Sequence, residues 1–598
     1  MILRRAAIAF ILMLLGASAR CASPKKAGPA HPQQDAVVYL NTAPGVGYVG
    51  SKSCATCHVD IYREYAQTLM GRSMTLPGEL SNLPSKPVIV HSEKLNRYFE
   101  IFRQGANLYQ SEYELAPDGS EIFSDTHPIA YVMGAGQNGI GYLVQEGSRL
   151  FEAPLSYYTR LHSWDLSPGY DVLDYGFLRP AQSDCVVCHS GRAQPITEHA
   201  NLYKNPPFEQ LAVGCENCHG PGELHVEERT KGEPLKGPVD RSIVNPGDLP
   251  GWLANNVCMM CHQSGDARVL QPGKTYADFR PGTPLTNTVA ILSVPFTRAS
   301  PPRDPLLQQY AQMVLSKCYR ASGGRLGCLT CHNPHFEPTA AEAPAYFRQK
   351  CLRCHTELSC KVPLAARRAQ SPPDDCVSCH MPRQNLQAIS HSALTNHRII
   401  AFQGEPFPEA AFHMTTPALP DLVHVDAIPG KQAVPLKRKV LLQAYSDLSQ
   451  THPEYKPRFE ALLSRLSKIE PHNLFILSVL GSQAAVSGTP EGLLEAQRKL
   501  SAAIAAGSTA ASDFEAYAYV LMRLGKTQEA GSVLKRGIKL NPYATHLYKD
   551  LAVVLIQLHQ YASALEIIKL ELKIYPEDSF MRSLVARLEH SPPPFQKQ

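Results

Sequence analysis

Cys-x-x-Cys-His recurs seven times in 598 residues, and no other feature of the chain narrows its possible folds as much. The copies stand at Cys54/Cys57/His58, Cys185/Cys188/His189, Cys215/Cys218/His219, Cys258/Cys261/His262, Cys328/Cys331/His332, Cys351/Cys354/His355 and Cys376/Cys379/His380. The 17 cysteines and 23 histidines, scattered at random, would give about 0.02 such motifs. Two thiols three residues apart can each add to a porphyrin vinyl group while the adjacent imidazole turns beneath to bind the iron. A zinc site or a thiol–disulfide pair also uses Cys-x-x-Cys, but neither needs a histidine directly after the second cysteine. The motifs therefore predict seven covalently attached c-type haems, each with its cysteines as tethers and its histidine as proximal iron ligand. Outside the motifs remain Cys21, Cys318 and Cys360; the last two could form a disulfide or lie buried as thiols, and the sequence leaves both open.

The first nineteen residues read as an export signal. Arg4 and Arg5 precede an apolar run from Ala6 to Leu15, and Ala17-Ser18-Ala19 supplies a small-x-small cleavage site. The run is too short to span a bilayer. Export to a periplasm or cell surface is expected, with a lipid anchor at Cys21 as an alternative that Arg20 fits badly. The formal charge of +5 is nearly balanced, and nothing points to nucleic acid. Loss of Arg4 and Arg5 with the signal, and the propionates of seven haems, would bring the oxidised holoprotein to about −4 and the reduced one to about −11. Basic surfaces on redox partners would then be favoured.

After a flexible segment over 20–47, the haem-bearing region is expected over 48–404. Alternation in Tyr98-Phe99-Glu100-Ile101-Phe102, Leu108-Tyr109-Gln110-Ser111-Glu112-Tyr113 and Ile140-Gly141-Tyr142-Leu143-Val144 predicts a small antiparallel β insertion at about 85–180. Short helices and loops are expected elsewhere, because haems would replace much of the side-chain core. A Pro-rich linker over 405–435 leads to Ala/Leu-rich helical periodicity over 436–590. There a 34-residue period matches Leu524 with Leu558, Ala530 with Ala564 and Pro542 with Pro576, the length and punctuation of tetratricopeptide repeats. The fold class expected is α-rich and multi-domain, a loop-rich haem domain followed by an all-α solenoid.

The sequence resembles multihaem cytochrome c proteins of the doubled-CXXCH type that end in tetratricopeptide repeats, and more distantly tetrahaem electron-acceptor cytochromes and octahaem oxidoreductases. The resemblance rests on Gly47-Tyr48-Val49-Gly50-Ser51, on Cys215 to Gly222 with His225, on Cys331-His332-Asn333-Pro334-His335, and on Cys379-His380-Met381-Pro382 with Thr395 to Ile399. It implies second axial ligands at His225, His335 and His397, followed by His391 and His91. His199, His127, His162 and His413 rank lower, and His31 lower still. The run after the first motif holds no histidine where related cytochromes place a ligand, so Met70 or Met74 becomes a candidate there, against ordinary helix packing. Electron transfer between redox partners is the leading reading, with the solenoid docking a protein. The alternative is an oxidoreductase acting on a small nitrogen or sulfur compound at one open haem.

Overall fold

The computed structural model describes residues 37–79, 84, 86–196, 201–298, 300–302, 307–383, 394–412, 422–425 and 436–590. The export signal, Cys21 and the candidates His31, His199, His391 and His413 fall outside those residues.

Alternating apolar residues between turn signals build one antiparallel sheet. Its strands are β1 (Met74–Thr75), β2 (Val88–Ser92), β3 (Arg97–Gln104), β4 (Asn107–Leu115), β5 (Glu121–Met133), β6 (Gly139–Glu146), β7 (Arg149–Glu152), β8 (Leu155–Tyr158), β9 (Ser163–Leu166) and β10 (Arg179–Pro180). They run in the order β10-β7-β6-β5-β4-β3-β2, with β1 on β5 and β8 bridging β6 and β9. Period-two patterning sends Phe99, Ile101, Leu108, Val132, Tyr142 and Val144 into its core. Gly105, at φ +62°, opens the two-residue turn that pairs Gln104 with Asn107.

This sheet has ten strands, more than a small insertion, and two further sheets follow it. Strands β11 (Arg192–Pro195) and β12 (Tyr203–Gln210) form a ribbon beside the second motif, and β13 (Ala267–Leu270), β14 (Val289–Ser293) and β15 (Val423–His424) form a third sheet. The chain is a mixed α and β fold, which corrects the α-rich expectation. The physical reason lies in the core. Short runs such as Val289-Ala290-Ile291-Leu292 bury apolar surface as strands although they carry no periodic signal, with Val289 and Ile291 packed against Met259 and Met260 of motif 4.

The repeat region consists of helices Arg438–Leu448, Lys456–Ile469, Leu474–Ser487, Pro490–Ala505, Ala511–Arg523, Thr527–Leu540, Thr545–Gln557, Tyr561–Glu571 and Ser579–His590. The fully buried Ala530 and Ala564 occupy equivalent positions in successive repeats, where a small side chain lets helices approach closely. The region meets the rest of the chain at both ends. Val440 and Leu448 join Ala267, Val269, Ala290 and Leu292 of β13 and β14 in one core cluster. Farther along, Arg149 on β7 donates to the Leu540 carbonyl at 2.9 Å, and Phe151 meets Tyr543 edge-on at 5.1 Å.

His127 on β5 is held by two carboxylates, Nε2 at 2.9 Å from Asp125 and Nδ1 at 3.0 Å from Glu146. Burial opposes its charge, but the hydrogen bonds to Asp125 and Glu146 prevail and raise it to about 9. With both ring nitrogens engaged it is unsuited to bind iron. The imidazolium should contribute on the order of 3 kcal/mol, fully present below pH 6.5 and lost as pH rises through about 9. Urea unfolding from pH 6 to 10 measures this as the difference between the protein and His127→Ala; a difference that stays constant over that range contradicts the assignment.

Candidate haem-binding site

Each motif begins in, or directly follows, a helical turn. Helices Ser51–Ala55, Ser183–His189, Cys215–His219, Gly251–His262, Cys328–Cys331, Ala343–Leu352 and Cys376–His380 carry the first cysteines. Helical spacing puts positions i, i+3 and i+4 on one face, so both thiols and the following imidazole point the same way.

The motifs themselves meet in pairs. The first thiols of motifs 1 and 3 (Cys54 and Cys215), 4 and 5 (Cys258 and Cys328), and 6 and 7 (Cys351 and Cys376) lie close enough to shift one another's ionisation. Two of these pairs are built alike. The residue three before the first cysteine of one motif, Ser51 or Asn255, accepts a hydrogen bond from the first cysteine N–H of the other, Cys215 at 3.1 Å or Cys328 at 3.0 Å. A glycine precedes that cysteine in both cases, and a Cβ on Gly214 would collide with Gln210 and Ser51, one on Gly327 with Asn255. Motif 2 joins motif 4 through Cys188 and Cys261.

Glu216, inside the third motif and 5 % exposed, ties motifs 1 and 3 together. It accepts hydrogen bonds from the N–H groups of Val49 at 2.9 Å, Gly50 at 2.8 Å and Gly222 at 2.7 Å. Sequence reasoning quoted these residues for the resemblance without finding their role. Asn255 went unseen altogether, because its partner lies 73 residues away.

Among the described residues, three histidine pairs face one another. His58 and His225 have ring centroids 6.4 Å apart and planes inclined by 19°; His219 and His335 stand 5.8 Å apart at 6°; His332 and His397 stand 6.3 Å apart at 29°. An iron with an imidazole nitrogen about 2 Å away on each side would hold two ring centroids roughly 6 Å apart. Hydrogen bonds from Nδ1 orient several of these rings: His219 donates to Val244 O at 2.8 Å, His225 to Asp240 at 3.0 Å, and His397 to Thr395 O at 2.8 Å. His380 donates likewise to Ile400 O at 2.6 Å. Such partners fix the tautomer and leave Nε2 for a metal. Burial also favours the neutral, ligating form of His219, His262 and His335, and takes His397 down to about 4.

A cavity of about 3440 Å³ runs through this region and is lined by residues of motifs 2 to 7. One small ligand needs roughly 300–1,000 Å³, so the space suits several tetrapyrroles. Its wall includes the buried Ser190 hydroxyl, Tyr203 hydroxyl and Arg268 Nε, none with a hydrogen-bond partner among the described residues. Such donors suit carboxylates like haem propionates, and the residues present fit the cofactor. The repeat region closes one side of the cavity with Tyr543, His546 and Lys549. His58 and Cys57 of the first motif are exposed.

The remaining candidates separate. His91 lies exposed on β2, paired across the strands with Tyr98 and stacked on it at 4.4 Å, away from every motif. A cross-strand aromatic pair is a sufficient reason for the residue there. Met74 is packed in a core with Leu143, Leu150 and Val186. Met70 lines the cavity. Neither is needed opposite His58, where His225 stands. His162 is an exposed turn residue at φ +51°.

Residues 176–220, which hold motifs 2 and 3, match the family described as cytochrome c554 and c-prime. Residues 521–588 match the tetratricopeptide repeat. The chain joins a cytochrome c segment to tetratricopeptide repeats. Among solved structures, the outer cell wall cytochrome OcwA is similar at 15% identity over 81% of this chain and 99% of that one, with a TM-score of 0.37. The tetratricopeptide protein YrrB, described as having an unusual peptide-binding site, is similar at 17% identity over 25% of this chain and 76% of its own, with a TM-score of 0.23. A thermophilic tetratricopeptide protein of Thermus thermophilus shows 18% identity over 25% and 90% of the two chains, with a TM-score of 0.21. No curated protein matches the sequence. No helix among the described residues is long and apolar enough to cross a membrane.

Proposed function

We propose that the chain is an exported electron-transfer cytochrome with seven c-type haems, attached at its seven motifs. The observation that carries the reading is the set of three imidazole pairs, each spaced as two axial ligands of one iron would be. Bound haem supplies one-electron redox chemistry. The polypeptide supplies two things. His225, His335 and His397, facing His58, His219 and His332, would each supply a second imidazole to a bound haem iron, which would disfavour substrate binding there. Contacts between motifs set an order for electron passage, with thiol contacts linking 1 to 3, 4 to 5, 6 to 7, and 2 to 4. Electrostatic contact of Cys218 with Cys258, and of Cys331 with Cys354, continues the line from 3 to 4 and from 5 to 6. Motif 1, with Cys57 and His58 exposed, and motif 6, with Cys354 and His355 exposed, are the natural points of exchange with partners. The tetratricopeptide repeats form part of the cavity wall as well as a surface for protein contact.

The mass of protein matured in a haem-competent periplasm tests the reading: it should exceed the processed polypeptide by seven haems, and fewer additions would contradict it. Low-temperature electron paramagnetic resonance of the oxidised protein should be dominated by low-spin signals. A strong high-spin signal abolished by nitrite or cyanide would favour instead an oxidoreductase with an open site.

A further inference from the structure

Three carboxylates converge where the repeat region meets the ten-stranded sheet, none of them within a haem motif. Glu112 comes from β4, Asp174 from the loop before β10, and Glu577 from the turn before the last helix. One oxygen from each lies within 4.8 Å of the others. Glu112 is 0 % exposed and Glu577 4 %, and among the described residues none of their four carboxylate oxygens has a hydrogen-bond partner. Buried carboxylates are costly unless paired.

The cations nearby do not balance them. Arg97 places Nη1 at 2.7 Å from Glu114, and its Nε stays 3.6 Å from Glu112 and 3.7 Å from Asp174. Arg582 reaches Glu114 at 3.8 Å. Neighbouring Asp125 is engaged with His127. With all four ionised, Glu112, Glu114, Asp174 and Glu577 face two guanidinium groups, an excess of two negative charges that burial opposes. Gly176, at φ +50°, makes room for Glu577, since a Cβ there would strike its carboxylate.

We propose that Glu112, Asp174 and Glu577 bind one divalent cation, calcium by the chemistry of the site, which fastens the last repeat to the β-sheet. All donors are hard oxygens, which excludes a preference for soft metals. Calcium binds oxygen at 2.3–2.6 Å, so two of its ligands can stand about 5 Å apart, whereas magnesium at 2.0–2.1 Å holds them within about 4.2 Å. The competing explanation is a proton shared among the acids, consistent with burial raising Glu577 to about 9.

The test uses the full-length holoprotein at pH 7.5. Equilibrium dialysis against radioactive calcium should show an ion that Glu577→Gln fails to retain. Calcium chloride should raise the melting temperature by about 3 °C over a chelator-treated sample, and magnesium chloride should not. If Glu577→Gln does not fold, Asp174→Asn, at a more exposed ligand, serves in its place. Absence of bound calcium, or binding that survives undiminished in a folded variant, overturns the proposal. So does a stability that depends on pH but ignores both calcium and chelator, which is the signature of the shared proton.

Discussion

Replacing Glu216 by alanine is expected to destabilise the protein by on the order of 5 kcal/mol and to cut the yield of haem-loaded protein severely. The carboxylate is buried and accepts from three backbone N–H groups, at Val49, Gly50 and Gly222. Each donor left without an acceptor costs about 1–3 kcal/mol. Loops without caps or ladders have no other acceptor to offer. Against a typical total stability of about 5–15 kcal/mol this loss is large. Glu216→Gln should fall between the two. Its carbonyl oxygen can keep the Val49 and Gly222 bonds, which both fall on Oε1, while its amide would oppose the Gly50 N–H. Urea unfolding monitored by haem absorbance measures the series. A cost below about 1 kcal/mol for the alanine variant would mean that motifs 1 and 3 are not held together through Glu216.

What the sequence conveyed about this molecule follows from the range of the interactions. The motifs are legible because the two cysteines and the histidine of each lie within five consecutive residues. The repeats are legible because their burial recurs every 34 residues, as Ala530 and Ala564 show. Pairings are another matter. His225 could be suspected from its position after the third motif, but the ring it faces is His58, 167 residues earlier in the chain, and nothing local to either residue specifies the other. His91 was read as a candidate ligand because a lone histidine carries no mark of its partner, which is Tyr98 on the next strand. The third sheet was missed because Ala267–Leu270 and Val289–Ser293 are too short for periodicity to distinguish strand from buried helix. Nothing local to Glu577 marks it as buried, and the carboxylates beside it, Glu112 and Asp174, come from parts of the chain hundreds of residues earlier.

Replacing His335 by alanine should convert the iron held by His219 from low spin to high spin and leave the other haems unchanged. The pair is the closest to coplanar of the three, 5.8 Å between centroids and 6° between planes. His219 is fixed on its far side by the bond to Val244 O, and the His335 backbone by its N–H on the Asn333 side chain at 3.1 Å. The bond to Val244 O holds the His219 ring in place, so loss of His335 removes a ligand without freeing the other. About one seventh of the ferric low-spin intensity should be replaced by a high-spin signal. Added imidazole should reverse the change, because it restores the missing donor, and a purely structural role for His335 would not respond to it. Removing an imidazole that favours the ferric state should also raise the midpoint potential of that haem. His91→Ala, on the exposed ledge of the sheet, should leave spectrum and potentials as they are. Unchanged low-spin intensity in His335→Ala, or a high-spin signal in His91→Ala, would break the link between ring spacing and ligation, and with it the assignment of the other two pairs.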